Sequence, residues 1–219
     1  MAIPPRMIAK SLHVLCTDMA IRQYHLGRRQ ASVDRTRSQI LAAARDVFTE
    51  AGFHAAGLEE VAARAGVTRK TVYNQFGSKR GLLDALISDL EERPAIERRV
   101  EVILDAPDPR AALDGYFREA CRFWAANQAV MRNLFGLAAT DAEARQVLGA
   151  HDAARKRRLV QFVTRLAARQ ALSTGRSEAL ETLWFLGSFA AFDQLAGPSS
   201  LSVSKTARVL GRLARSLLR

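Results

Sequence analysis

The chain has 219 residues, 48% of them hydrophobic and 25% charged, enough for one domain with a real core or for a small domain joined to a larger one. A formal net charge of +11 points to a polyanionic partner, nucleic acid first. Two distant cysteines (Cys16 and Cys121), four scattered histidines and the lack of any apolar run near the roughly 18 residues of a span argue against a disulfide framework, a metal centre and a membrane helix. Free cysteines and the absence of a secretory leader pattern fit a reducing cytoplasm.

Residues 1–33 hold no sustained period, Pro4-Pro5, and Arg6, Lys10, Arg22, Arg28 and Arg29 against the single acid Asp18. We expect a basic, disordered arm here, able to reach phosphates, unless translation starts at Met7 or Met19. From Asp34 a helical period sets in with Ile40, Ala44, Val47, Phe48 and Ala51; Asp34 suits the N-cap and Gly52 the stop. A second helix is expected from Leu58 to Ala65. Gly57 is at its cap, Glu59 and Glu60 suit the positive end of its dipole, and Val61, Ala62 and Ala65 face inward. Gly66 makes a tight turn and Thr68 caps a third helix. That helix is anchored by Val72 and Phe76 and carries Arg69, Lys70, Thr71, Tyr73, Asn74 and Gln75 on its polar side. Ser78 caps a fourth, from Lys79 through Leu82, Leu83, Leu86, Ile87 and Leu90 toward Arg93, where Pro94 ends or kinks it.

The remainder reads as helix, so the fold class is all-α. After a loop bounded by Pro107 and Pro109, helices are expected over 110–126, 130–137 and from near Asp141 or His151 to Leu172. An apolar helix over 177–196 and a last one from Ser202 follow, separated by Gly197-Pro198. No repeat or low-complexity segment interrupts them. The run Arg155-Lys156-Arg157-Arg158 reads as the solvated face of its helix.

A short helix with such a polar cargo, set behind another across a glycine turn, matches what the major groove of DNA admits. The pattern Arg37-x-x-Ile40-Leu41-x-Ala43-Ala44-x-x-x-Phe48-x-x-x-Gly52-Phe53, then Val61-Ala62-x-x-Ala65-Gly66-Val67-Thr68-x-x-Thr71-Val72-Tyr73-x-x-Phe76-x-Ser78-Lys79-x-x-Leu82, resembles the DNA-binding domain of the tetracycline-repressor (TetR) family of transcriptional regulators. The resemblance covers about 35–90. It implies a three-helix helix-turn-helix domain over 34–80 and a larger helical effector-binding and dimerisation domain over 81–219. Three positions depart from the family pattern. Ala56-Gly57 replaces a hydroxyl pair, Lys70 stands where a small residue is usual, and Gln75 replaces a frequent His or Tyr.

The expected function is a transcriptional regulator with no catalytic residue, metal or cofactor: a ligand-released repressor on a near-palindromic operator. Arg69 and Lys70 would read base edges, and Thr71 and Tyr73 a thymine methyl, base edge or phosphate. Arg37, Asn74, Gln75 and Lys79 would meet the backbone, and the capping Thr68 is counted in the same DNA-binding set. One such helix spans few base pairs, so a homodimer on double-stranded DNA is expected. Its seam would run along Leu180, Gly187 and Ala191 in one helix and Ala207, Leu210, Ala214 and Leu217 in the last. The resemblance also implies a small-molecule effector pocket, for which Phe117, Trp124, Met131, Phe135, Phe162, Trp184, Phe185 and Phe189 supply aromatic and apolar lining. The fourth helix would carry the effector's signal to the reading head. A ligand-independent architectural DNA-binding protein, and a basic helical enzyme with an apolar pocket, are the alternatives.

Overall fold

A computed structural model describes residues 31–90, 93–197 and 199–219. The expected arm, with Cys16 and the Arg28-Arg29 pair, lies outside them except at 31–33, which are already helical. Helix α1 covers 31–50, so Asp34 sits inside a helix rather than at its cap. A four-residue helix α2 (Gly52–Ala55) follows, then α3 (Leu58–Arg64) and α4 (Arg69–Phe76). The inward positions of the sequence pattern are buried at Ile40, Ala44, Val47, Phe48, Val61, Ala62 and Val72; Ala51 is exposed. Each large side chain so buried contributes about 1.5–3 kcal/mol, which is how eight-residue helices persist.

Helix α5 (Lys79–Leu90) buries Leu82, Leu83, Leu86, Ile87 and Leu90. It stops at Leu90 rather than running on to Arg93, and a separate α6 (Arg93–Leu104) begins with Pro94 in its first turn, where proline is tolerated. Then come α7 (Pro109–Ala126), capped by Asp108, α8 (Gln128–Thr140) and the 27-residue α9 (Ala142–Ala168), capped by Asp141. The apolar segment 177–196 is two helices, not one: α10 (Arg176–Leu186) and α11 (Phe189–Ala196). Ser188 is extended, and its hydroxyl accepts from the Ala191 amide at 3.2 Å, which starts a new helix. The Gly187 carbonyl freed by the break accepts from the Trp124 indole N–H at 3.2 Å.

Helix α12 (Val203–Arg215) packs along α7, and one continuous core runs from Ile40 to Leu218. This packing corrects the expected dimer seam. Ala207, Leu210, Ala214 and Leu217 are buried within the chain itself, as are Gly187 and Ala191; Leu180 is half-buried. The four-and-three spacing is a seam, but its partner is α7. Exposed large apolar side chains in the larger part are Phe185 on α10, Leu213 on α12, and Val160, Val102 and Val203. No helix among the described residues is long and apolar enough to cross a membrane.

Candidate functional site

Helices α3 and α4 meet across Gly66, whose φ of +67° is cheap only for glycine. The Thr68 hydroxyl accepts from the Thr71 amide at 3.2 Å and shares a hydrogen bond of 2.9 Å with the Thr71 hydroxyl. Thr68 is therefore a cap, and half-buried Thr71 already has a partner for its hydroxyl. Val72 is fully buried, which turns Arg69, Lys70, Tyr73 and Asn74 outward; Tyr73 is 59% exposed, unusual for a ring with no outside partner. Gln75 is half-buried.

The charged groups of this face are not all loose. Arg69 Nε lies 3.0 Å from Glu59 on α3. Arg37 on α1 lies over the Phe76 ring at 4.7 Å, and Lys79 over the Phe53 ring at 4.4 Å. Burial against that ring lowers the Lys79 pKa. Both residues therefore also anchor the head, beyond the backbone contact expected of them. Arg80, next in line and exposed, carries no such stacking contact and escaped the sequence reading. Arg64 on α3 bonds Glu50 on α1 at 2.7 Å, and that hydrogen bond raises its pKa. At the N-terminus of α3, Gly57 offers no capping side chain, and Ala56 is buried.

The head is tied to the larger part at several points. Asn133 on α8 donates to the Phe48 and Thr49 carbonyls at the end of α1, at 3.3 and 2.7 Å. Arg45 donates to the last carbonyl of α7, that of Ala126, at 3.0 Å. On the other side Asp84 of α5 meets the buried His151 of α9 at 3.0 Å. Within the larger part, Asp193 of α11 accepts from Gln128 and Arg132 of α8 at 2.8 and 2.9 Å. Burial pushes the Asp193 pKa up, but those two bonds and the guanidinium charge outweigh it and hold the pKa below the ordinary value.

His151 also lines a cavity, together with Ile96, Val100, Ala120, Phe123, Trp124, Tyr116, Gly187, Glu119, Asp152, Arg155 and Arg158. Its free space, about 80 Å³ for the centres of water-sized spheres, exceeds the roughly 10–15 Å³ one water requires. Of the expected pocket residues only Trp124 lines it. Phe117, Met131 and Phe162 are buried core, Phe135 stacks on Phe189 at 5.2 Å, and Phe185 is 65% exposed. Trp184 reaches the site indirectly, beneath Arg155, whose guanidinium lies 3.8 Å from the ring centre. The basic run is thus not one solvated face: Arg157 is exposed, while Arg155 and Arg158 turn inward with His151 and Asp152 at helical spacing. That spacing was the signal available in the sequence. Cys121 is buried in the core, and burial pushes its thiol pKa up to about 12, which makes it an inert thiol.

Residues 40–86 match the family model described as bacterial regulatory proteins, tetR family. The chain is 46% identical over 54 residues to the transcriptional activator FasR of Mycolicibacterium smegmatis, covering 25% of each protein. To the regulator UidR of Escherichia coli it is 38% identical over 64 residues, 29% of this chain and 33% of that protein. These matches span a quarter to a third of the relatives' length. Among solved structures, NalD of Pseudomonas aeruginosa, the secondary repressor of the MexAB-OprM multidrug efflux pump, shares 26% identity. The match has a TM-score of 0.66 and covers 86% of this chain and 98% of that one. FadR of Bacillus subtilis in complex with stearoyl-CoA shares the fold at a TM-score of 0.70 and 18% identity, over 83% and 99% of the two chains.

Proposed function

We propose that this chain, whose residues 40–86 match the tetR family of bacterial regulatory proteins, is a member of that family and a dimeric, ligand-released transcriptional repressor. One observation carries the reading: a short helix, α4, pinned by a fully buried Val72, presents Arg69, Lys70, Tyr73 and Asn74 to solvent on a chain of net charge +11. Lys70 and Arg69 have the donors that pair with guanine edges, at about 1–3 kcal/mol of discrimination for a good bidentate contact. Asn74, Arg80 and the N-terminus of α3 suit phosphates. Two copies on a near-palindromic operator supply the affinity that one short helix lacks. The likeness to a repressor, NalD, at 26% identity over 86% of the chain supports repression.

The cavity is the effector site of this reading. Its His151 touches both the bound molecule's space and, through Asp84, the helix α5 that follows the reading head. A ligand that favours one position of α9 therefore favours one position of α5, and with it one spacing of the two α4 helices. Reversing a 1:99 balance of those states takes about 5.5 kcal/mol of differential affinity.

A gel shift titrated with salt on DNA adjoining the chain's own gene tests the proposal. Sequence preference should persist as salt rises, and Lys70→Ala should relax it at particular base pairs. Binding that ignores sequence at every salt concentration would overturn it. In the same assay Asp84→Asn should keep DNA binding but blunt release by an effector.

A further inference from the structure

The cavity has a mixed lining. Ile96, Val100, Ala120, Phe123 and Trp124 are apolar, while Arg155, Arg158, Glu119 and Asp152 bring charge to the same space. Two of those charges differ in how well they are matched. Glu119, nearly buried, accepts from Arg99 at 2.8 Å and from Arg122 at 2.9 Å, so two guanidiniums surround one carboxylate. Arg155 has the reverse problem. Its side chain is 16% exposed, and among the described residues its one anionic contact is to Asp152 at 3.4 Å and its buried Nε and Nη1 have no hydrogen-bond partner. The Tyr116 hydroxyl, on a residue 5% exposed, is likewise buried and unpaired. Buried donors left unmade are costly, more so when charged, so these groups call for a partner.

We infer that this cavity binds a small anionic amphiphile, an aromatic or aliphatic ring body bearing a carboxylate. The oxyanion would be met by an unpartnered N–H of the Arg155 guanidinium and by the Tyr116 hydroxyl, with the ring against Phe123 and Trp124. The inference rests on the effector reading of the same cavity and adds the ligand's charge to it. A cation is disfavoured because the buried carboxylate it would seek, Glu119, already has two guanidiniums. Trp184 supports the geometry. Its ring centre lies 3.8 Å from the Arg155 guanidinium carbon and covers one side of that group. A guanidinium held in this way suits a charge-assisted N–H···O bond to a carboxylate.

Three probes with one ring system separate charge from shape: 2-naphthoate, 2-naphthamide and 2-naphthylmethylamine. Both tryptophans of the chain adjoin the site, so quenching of their fluorescence reads binding in the unmodified protein. The acid should bind at least about tenfold more tightly than the amide, and the amine more weakly than either. Arg155→Gln should bring the acid-over-amide ratio close to one, and Arg155→Lys should restore part of it. Tyr116→Phe should lower the ratio a few-fold. Equal affinity for all three, or tightest binding of the amine, overturns the anion assignment while leaving the cavity a ligand site. Binding of none overturns both, and the DNA gel shift on the same samples shows separately whether the regulator reading stands.

Discussion

At the scale of single residues, the reading face is partly occupied by its own neighbours. Arg69 pairs with Glu59 at 3.0 Å, and both side chains are 66% exposed. An exposed pair of this kind is worth little, about 0.2–1 kcal/mol, yet it holds one base-reading candidate aside while DNA is absent. Glu59→Gln should therefore raise DNA affinity about two- to fivefold at low salt, by freeing Arg69 and removing a negative charge. Arg69→Ala in that background should abolish the gain. A gel shift with unchanged affinity in Glu59→Gln would show that Arg69 takes no part. The candidate readers were legible from residue type and spacing alone. Their engagements were not, because the contacts of Arg69 with Glu59, Arg37 with Phe76 and Lys79 with Phe53 depend on how helices cross rather than on the period within one helix.

At the scale of elements, the junction between α4 and α5 leaves no room for a side chain at Gly81. A Cβ placed on Gly81 would lie 2.0 Å from the Phe76 carbonyl oxygen, a backbone atom that cannot swing away. Gly81→Ala should thus cost about 1–3 kcal/mol or more, lower the melting temperature, and weaken DNA binding by shifting α4. Circular dichroism melts and the gel shift check both. A melting temperature equal to that of the unchanged chain would refute this account of Gly81. Glycine-punctuated helices such as α3 and α4 are legible because caps and turns are local. The division of 177–196 into α10 and α11 is marked only by Gly187-Ser188 inside an otherwise unbroken apolar run, which reads as one helix. The break is compensated from outside, by the Trp124 indole on the Gly187 carbonyl.

At the scale of the whole molecule, the interior placement of α12 relocates the expected dimer surface. Among the described residues, Phe185 on α10, 65% exposed, and Leu213 on α12, 51% exposed, are the most exposed large apolar side chains of those two helices, ahead of Val203 at the start of α12. Phe185→Glu and Leu213→Glu should yield folded monomers by light scattering, with DNA affinity falling as the second half-site is lost. Leu210→Ala should instead destabilise the chain by about 2–5 kcal/mol without selecting for monomers. Dimers surviving both glutamate substitutions would place the interface elsewhere. The all-helical class, the helix-turn-helix and its outward cargo could be read from the amino acids because period, capping and turn chemistry act within a few residues. Which apolar stripe meets α7, which arginines of the 155–158 run turn inward, and that Trp124 rather than Phe117 or Phe162 lines the cavity were decided by packing. A stripe announces that it must be buried; only the assembled helices supply the partner that buries it.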